Sequence, residues 1–213
     1  MCLDPIRVLL VDDHAIARNG VRLMLGTADD IAVTGEAGDA QQALALVRER
    51  TFDVALLDIT MPGMNGLDLL RQLHDLRPGM AALMLSTYSE EIYAVRALKL
   101  GAAGYLTKDV PTPVLVDAVR RAAAGRKYVS PALVEKLASM VSGDAATCGH
   151  EALSNRELEV FKLIARGEPL VQIGERLHLS PNTVTTYRSR ILDKMGLASN
   201  AELTRYALEY GLI

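Results

Sequence analysis

The sequence predicts an α/β domain built on a doubly wound, five-stranded parallel sheet, followed by an all-α domain of four helices. Over residues 6–124, short apolar runs alternate with longer stretches of helical periodicity, which is the pattern of parallel strands joined by crossover helices. From Leu153 onward the periodicity is helical throughout. We therefore expect the first domain at residues 1–125, the second at residues 152–213 and a connecting segment at residues 126–151.

The strands and helices of the first domain alternate regularly along the chain. Strands are expected at residues 6–12, 31–35, 54–58, 81–86 and 105–108. Helices are expected around Val21 to Leu25 and at residues 40–50, 67–76, 91–100 and 111–124. This spacing favours the flavodoxin-like strand order, in which ligands bind at the carboxyl ends of the strands.

Carboxylates follow two of these strands at the edge where such a sheet binds ligands. Asp58 comes directly after the apolar run 54–57, and Asp12 and Asp13 follow the run at residues 9–11. A single aspartate at a strand end is equally explained as a helix cap. Three carboxylates at one edge repel each other and require a cation, and an oxygen-only ligand set favours Mg²⁺.

The connecting segment combines a helix, expected at residues 131–141, with an aperiodic stretch. Residues 142–150 are small and polar, and we expect them to form a flexible linker. The two cysteines, Cys2 and Cys148, lie in a tail and in this linker. Neither a disulfide framework nor a zinc site is therefore indicated.

Composition bears on the location and the partners of the chain. The net charge is −3, and residues 151–213 carry 8 Lys and Arg against 8 Asp and Glu. A neutral second domain must use a local positive patch if it binds nucleic acid. No apolar run approaches the ~20 residues that cross a bilayer, and the first residues carry no signal sequence. We expect a cytoplasmic protein without a membrane partner.

The second domain carries strong signals for helix starts. Ser154-Asn-Arg-Glu157 forms a capping box, and Ser180 precedes a proline at the first helical position. Helices are expected from residue 153 onward, at residues 170–177, at residues 182–194, and at residues 201–210 with Asn200 as the cap. Two helices joined by a tight turn, the second strongly capped, are typical of a helix-turn-helix.

These motifs resemble those of two-component response regulators. Asp12-Asp13, Asp58, Ser86 and Lys108 match, in order and spacing, the site of their receiver domains, and the resemblance covers roughly residues 5–125. The second domain resembles the LuxR-type helix-turn-helix at residues 153–160, 180–184 and 194–197. Together the two domains are similar to the NarL/FixJ family of transcription factors, and within it to the branch of BvgA-, GacA- and UvrY-like regulators.

The resemblance implies a role for each residue of the receiver site. Asp58 would be the nucleophile that accepts a phosphoryl group from a phosphohistidine of a sensor histidine kinase. Lys108 would neutralise one phosphate oxygen, and Ser86 would donate its hydroxyl to another. Ser86 and the aromatic Tyr105 would then form the switch that turns inward. The implied ligands of Mg²⁺ are Asp13, Asp58, the backbone carbonyl of Thr60 and, through water, Asp12.

Two positions near this site depart from the common pattern or vary within the family. Asp109 stands where many receivers have proline. Tyr88, the second residue after Ser86, is large enough to shield a phosphoryl group from water. We hypothesise that autodephosphorylation is slow, and that Tyr88→Ala shortens the lifetime of the phospho-aspartate.

The helix at residues 182–194 carries the DNA contacts that the LuxR resemblance implies. Val184, Tyr187 and Ile191 share one face and are expected to pack inward. The predicted DNA contacts are Asn182, Thr185, Thr186, Arg188, Ser189, Arg190 and Lys194. Among them the two arginines and the lysine suit phosphates, and threonine methyls suit thymine methyls. The alternative is an ordinary amphipathic helix whose polar face is merely exposed.

A phosphorylation-switched transcription factor that binds paired half-sites as a dimer is the main interpretation. Double-stranded DNA, a sensor histidine kinase and RNA polymerase are its implied partners. The last helix is expected to supply either the dimer interface or only core, through Leu203, Tyr206, Ala207 and Tyr210.

Two other classes of protein are alternatives to a transcription factor. A phosphatase with an aspartate nucleophile usually needs a second aspartate two residues further on as general acid, and that position is Thr60. We therefore expect no enzyme activity beyond self-phosphorylation and slow autodephosphorylation. The second class is an interaction protein whose receiver works without phosphorylation. The histidines show no metal or catalytic spacing: His14, His74, His150 and His178.

Overall fold

The computed structural model describes residues 4–87, 90–141 and 149–213. The chain separates into two compact units, residues 1–142 and residues 143–213. Tyr88 and all but the end of the expected linker lie outside the described residues. Among the helices that are described, none has the length and hydropathy needed to cross a membrane.

The first unit alternates strands and helices as the sequence predicts. Its elements are β1 (Ile6–Val11), α1 (Ala15–Leu25), β2 (Ile31–Ala37), α2 (Ala40–Glu49), β3 (Val54–Leu57), α3 (Gly66–Leu76), β4 (Ala81–Ser86), α4 (Glu90–Lys99), β5 (Gly104–Thr107), α5 (Thr112–Ala123) and α6 (Pro131–Val141). The strands are parallel and lie in the order β2-β1-β3-β4-β5. The predicted flavodoxin-like order is therefore confirmed.

The centre of the sheet is buried on both faces. All four residues of β3 are fully buried, although successive side chains of a strand point to opposite faces. On one face, Leu10 and Leu56 pack with Leu25 of α1 and Leu115 of α5. Burial of such a side chain stabilises the fold by about 1.5–3 kcal/mol. This packing holds the carboxyl ends of β1 and β3 in fixed positions.

The ends of the elements in the first unit lie within two residues of the predicted ends, wherever a full range was predicted. Asp39 caps α2 by accepting a hydrogen bond from the N–H of Gln42 at 2.8 Å. The fifth strand lies one residue earlier than predicted, since it runs from Gly104 to Thr107 and leaves Lys108 in the following turn. After α5, the N–H of Tyr128 donates to the carbonyl of Ala103 at 2.7 Å, so the chain pairs briefly with the sheet before α6 begins.

The second unit is entirely helical. A short 3₁₀ helix (Gly149–Ala152) precedes α7 (Asn155–Ala165), α8 (Leu170–Leu177), α9 (Pro181–Met195) and α10 (Asn200–Glu209). The capping box at the start of α7 and the Ser180 cap of α9 are confirmed. His178 ends α8 in the left-handed region, with φ of 54°, which gives the tight turn that the helix-turn-helix prediction required.

Two predictions about this unit are wrong, the first through a local contact and the second through a long-range one. Ser199, rather than Asn200, caps α10 by accepting from the N–H of Glu202 at 3.3 Å. His150, expected in the linker, is buried, and its Nδ1 lies 3.0 Å from the Tyr206 hydroxyl.

The structure favours core over interface for most of the inner face of α10. Leu203 and Ala207 are fully buried within the unit. Tyr206 packs edge-on against Phe161 and stacks on Tyr210 at 4.3 Å between ring centroids. Of the four residues, Tyr210 is the one that keeps a large exposed fraction, 46%.

Candidate functional site

Asp58 stands directly after β3, where the sheet ends and the loop to α3 begins. Its backbone N–H donates to the carbonyl of Val11 at 2.9 Å, which extends the pairing with β1. The N–H of Asp12 likewise donates to the carbonyl of Ala37 at the end of β2, at 3.1 Å. Since β1 lies beside β3, Asp12 and Asp58 meet at this edge, 2% and 4% exposed.

The start of α3 packs directly against the backbone of Asp58. Asn65 caps this helix, accepting a hydrogen bond from the N–H of Asp68 at 2.9 Å. The N–H of Gly66 donates to the carbonyl of Ile59 at 2.8 Å. A Cβ on Gly66 would overlap the carbonyl oxygen of Asp58. Glycine is needed here because the helix approaches the loop too closely for a side chain.

Lys108 connects the two buried aspartates. Its Nζ lies 2.6 Å from Asp12 Oδ2 and 2.9 Å from Asp58 Oδ2. Because β4 lies between β3 and β5, the side chain crosses the end of β4, where the Lys108 N–H donates to the Ser86 carbonyl at 2.8 Å. The expectation that the acids require an added cation is thus incomplete, since a lysine already neutralises part of their charge.

Burial and charge oppose each other in this cluster. Burial raises the pKa of Asp58, and the hydrogen bonds from Lys108 and from the N–H of Thr60 only partly offset that rise. Burial also lowers the pKa of Lys108, but its hydrogen bonds to Asp12 and Asp58 outweigh burial, so this pKa lies above its ordinary value. The ammonium group of Lys108 therefore stays charged at neutral pH.

Asp13 and His14 complete the cluster. One ligand atom each of Asp12, Asp13, His14 and Asp58 lie within 4.8 Å of one another. His14 Nδ1 is 2.8 Å from Asp13 Oδ1, yet that oxygen is buried and accepts no hydrogen bond from the described residues. His14 was not among the predicted site residues, because the four histidines show no metal spacing along the chain, whereas its partner in the structure is the adjacent Asp13.

Ser86 and Tyr105 lie on the neighbouring strands. Ser86 ends β4 between the strand ends that carry Asp58 and Lys108, and it is fully buried. Tyr105 pairs in register with Met84 and is also fully buried, so its ring occupies an inward position. The structure thus brings the predicted acids and lysine together, with the serine at the adjoining strand end.

The exposed face of α9 carries short polar side chains. Val184 and Ile191 are fully buried and Tyr187 is half-buried, as predicted for the inner face. The exposed residues of the opposite face are Asn182, Thr185, Thr186, Ser189 and Arg190. A Cβ on Gly174 of α8 would approach the Leu179 carbonyl to 2.8 Å, so close packing of the turn fixes how α9 is presented.

Two of the three predicted phosphate contacts are already bonded inside the unit. The Nε of Arg188 donates to Asn200 Oδ1 at 2.6 Å, and Lys194 Nζ donates to Glu157 Oε2 at 2.7 Å. Glu157 is buried, 3% exposed. Sequence patterns missed both pairings because the partners lie on other helices. Arg190 is exposed and has no ion pair with a described residue.

Two known protein families match the chain, one in each of its two units. Residues 8–120 match the response regulator receiver domain, and residues 151–207 match the bacterial regulatory proteins of the luxR family. A receiver followed by a LuxR-type DNA-binding domain defines a class of transcription regulators. The chain belongs to the NarL/FixJ family of two-component response regulators.

Similar proteins cover almost the whole chain. The response regulator GacA of Pseudomonas protegens is 36% identical over 208 residues, 98% of each chain. The response regulator UvrY of Escherichia coli is 34% identical over 208 residues, 97% of this chain and 95% of its own. A crystal structure of the response regulator ChrA, from a heme-sensing two-component system, is 34% identical with a TM-score of 0.55 over 99% of this chain and 100% of its own. The predicted branch is thereby confirmed, and these relatives are named regulators, not enzymes.

Proposed function

We propose that Asp58 accepts a phosphoryl group from a phosphohistidine of a sensor histidine kinase, and that this modification controls DNA binding by α9. The supporting observation is the bridge that Lys108 Nζ makes to Asp12 and Asp58 at 2.6 and 2.9 Å. It places a fixed positive charge beside a buried carboxylate, at the edge of the sheet where ligands bind.

The reaction is a phosphoryl transfer between two nucleophiles. A carboxylate oxygen of Asp58 attacks phosphorus, the P–N bond of the phosphohistidine breaks, and the imidazole leaves with the electron pair of that bond. Negative charge spreads over the equatorial oxygens, so catalysis rests mainly on positioning and electrostatics. Lys108 pairs with one of these oxygens, and the hydroxyl of Ser86 donates to another.

The acidic residues of the cluster fit a divalent cation. Asp12, Asp13 and Asp58 with Lys108 carry a formal charge of two negative units, and Asp13 Oδ1 accepts no hydrogen bond from the described residues. We infer that Asp13, Asp58 and the carbonyl of Thr60 hold Mg²⁺, with Asp12 acting through water. When bound, the ion neutralises charge on the transferring group.

The switch follows from the position of Ser86. Once the phosphoryl group is present, the Ser86 hydroxyl turns towards it. Tyr105 is fully buried on β5 before phosphorylation, so its ring needs no inward turn. Slow autodephosphorylation stays a prediction from the sequence, since Tyr88 lies outside the described residues.

DNA binding by this neutral domain requires more than one copy. The proposed contacts are Asn182, Thr185, Thr186, Arg188, Ser189, Arg190 and Lys194. A single copy offers few phosphate contacts and binds weakly, whereas a phosphorylated homodimer on paired half-sites gains from effective concentration. The regulator acts in the cytoplasm, where RNA polymerase is a further partner.

The first experiment tests phosphorylation. The full chain is incubated with Mg²⁺ and a small phosphodonor, and the intact mass is measured. We expect a gain of one phosphoryl group that Asp58→Asn abolishes. Asp53→Asn is the matched control, because Asp53 precedes the same strand and pairs with Arg7 at its opposite end. Labelling that persists in Asp58→Asn would assign the acceptor elsewhere.

The second experiment tests the switch. DNA fragments of the source genome are selected with the phosphorylated chain and with Asp58→Ala treated identically. Sites enriched only by the intact chain support the proposal, and their spacing gives the dimer geometry. Equal enrichment by both would favour the alternative, a regulator whose receiver serves as a docking domain without phosphorylation.

A further inference from the structure

The centre of the exposed face of α9 holds two adjacent threonines whose hydroxyl protons are already used. The Oγ1 of Thr185 donates to the carbonyl of Pro181 at 3.0 Å, and that of Thr186 donates to the carbonyl of Asn182 at 3.0 Å. Both side chains are exposed. Each therefore offers a ligand its methyl group and a hydroxyl oxygen that accepts but does not donate.

The long cations lie outside this centre. With 100° per residue, Asn182, Thr185, Thr186 and Ser189 span one sector of about 100°. Arg188 and Lys194 lie on its two sides, and both are held by partners within the domain, Asn200 and Glu157. Neither of these two side chains is therefore directed at the bases that the threonines meet. The exposed Arg190 lies at the edge of the sector, beside Thr186.

This chemistry fits one feature of the major groove. Thymine presents a C5 methyl group there, and cytosine and the purines do not. An acceptor-only hydroxyl gains nothing from the O4 or N7 acceptors, but it can accept from the N6 amino group of adenine, which an A·T pair presents beside the thymine methyl, or from the N4 amino group of cytosine. A methyl group gains by leaving water against another methyl. The methyl and the hydroxyl oxygen of each threonine are therefore together complementary to an A·T pair, and the methyl is the part that singles out thymine.

We propose that Thr185 and Thr186 select thymines in each half-site through contact between methyl groups. The proposal rests on the proposed function, since it concerns the base readout of the same helix. It names the sequence class of the DNA: a half-site with two thymines, on either strand, under the middle of α9. Removal of one buried methyl should weaken binding about fourfold.

The test uses deoxyuridine, which keeps every hydrogen-bonding group of thymidine and lacks only the C5 methyl. In a duplex carrying the best selected site, each thymine is replaced in turn, and the affinity of the phosphorylated full chain is measured. We expect about fourfold weaker binding at two positions of each half-site and little change at the others. If every replacement leaves the affinity unchanged, methyl readout is overturned.

Side-chain variants assign each penalty to its residue. Thr185→Ser and Thr186→Ser remove one methyl and keep the hydroxyl, so each should abolish the deoxyuridine penalty at one position. Thr185→Val keeps a methyl and should retain that penalty. The matched control is Thr204→Ser on α10, where the hydroxyl also donates within its own helix, to Asn200 at 3.1 Å, and the full penalty profile should persist.

The outcomes separate this proposal from the function on which it rests. A chain that selects no DNA sequence overturns both. If the chain selects sites but neither serine variant changes the deoxyuridine profile, the proposed function stands. The proposal that the two threonines read thymine is then refuted. Far-UV circular dichroism and binding to an unrelated duplex establish that each variant is folded and retains the nonspecific affinity of the parent chain.

Discussion

Lys108 is the residue that decides the charge of the receiver site. Its ammonium group lies between the buried carboxyl groups of Asp12 and Asp58, and it partly offsets the rise that burial causes in the pKa of Asp58. The sequence predicted that these residues meet, because each follows an apolar strand of a parallel sheet. The sequence predicted that Lys108 would pair with a phosphate oxygen, whereas in the structure its ammonium group is already paired with Asp12 and Asp58.

The first prediction concerns the loss of the positive charge of Lys108. Lys108→Ala should slow phosphorylation of Asp58 by a small phosphodonor by about a hundredfold or more, because a preorganised charge beside the transferring group is lost. The rate is measured by intact mass over time. Lys99→Ala, an exposed lysine at the end of α4, is the control and should react at the parent rate. A similar slowing in both variants would show a general effect of charge.

The second prediction concerns Gly66. Gly66→Ala should lower the free energy of unfolding by about 1–3 kcal/mol and slow phosphorylation, because the added Cβ displaces the backbone of Asp58. Chemical denaturation measures the first effect. Gly79→Ala is the control, since an added Cβ there lies farther than 4 Å from the described residues. A stable Gly66→Ala with normal phosphorylation would mean that the loop can retreat.

At the scale of elements, side-chain hydrogen bonds join α9 to α7 and to α10. Lys194 bonds to Glu157 at the start of α7, and Arg188 bonds to Asn200 at the start of α10. Glu157 also closes the capping box by accepting from the N–H of Ser154 at 2.7 Å. One carboxylate therefore holds the start of α7 and the end of α9 together.

The third prediction uses this carboxylate. Burial alone would raise the pKa of Glu157, but the hydrogen bonds from Lys194 and Ser154 outweigh it and lower the pKa. A lowered pKa in the folded state gives stability that is present above the unfolded pKa of about 4.3 and is lost as pH falls through the folded value. The second unit should therefore lose stability below about pH 4.5.

Glu157→Gln should remove most of this acid dependence and lower the free energy of unfolding at neutral pH by about 1–3 kcal/mol. Thermal unfolding by far-UV circular dichroism between neutral pH and about pH 3 measures both. Glu209→Gln, exposed at the end of α10, should behave like the parent chain. If Glu157→Gln keeps the parent slope, another group governs the acid transition.

At the scale of the whole molecule, the chain divides into two units, residues 1–142 and residues 143–213. Each has its own buried core, so we expect each to unfold on its own. The buried His150, which precedes the expected domain start at residue 152, contacts Tyr206 and Tyr210. The second unit is therefore larger at its start than the helical pattern indicated.

The fourth prediction compares two fragments. Residues 149–213 should fold alone and melt cooperatively, whereas residues 153–213 should be less stable by about 1–2 kcal/mol, because the histidine that packs on the tyrosines is missing. Circular dichroism melting curves compare them. His150→Ala in the longer fragment is the control and should reproduce most of the loss. Equal stability of the two fragments would show that the 3₁₀ helix does not stabilise the second unit.

The parts of the molecule that the sequence predicted are those set by periodicity and by caps within a few residues. The strand ends carrying Asp12 and Asp58, the capping box at Ser154 and the turn before Ser180 belong to this group. The parts it missed depend on partners far along the chain. Lys194, for example, has the composition of a phosphate contact, but it bonds to Glu157, 37 positions away along the chain.

The bridge made by Lys108 affects how variants of the acceptor are interpreted. Replacing Asp58 by alanine or asparagine removes the acceptor and also releases one end of the ion pair, so Lys108 keeps only Asp12. Such a variant has a different internal charge from the unmodified parent chain. The proper reference for the resting form is therefore the parent chain without a phosphodonor, and differences between it and the variant report on the freed lysine.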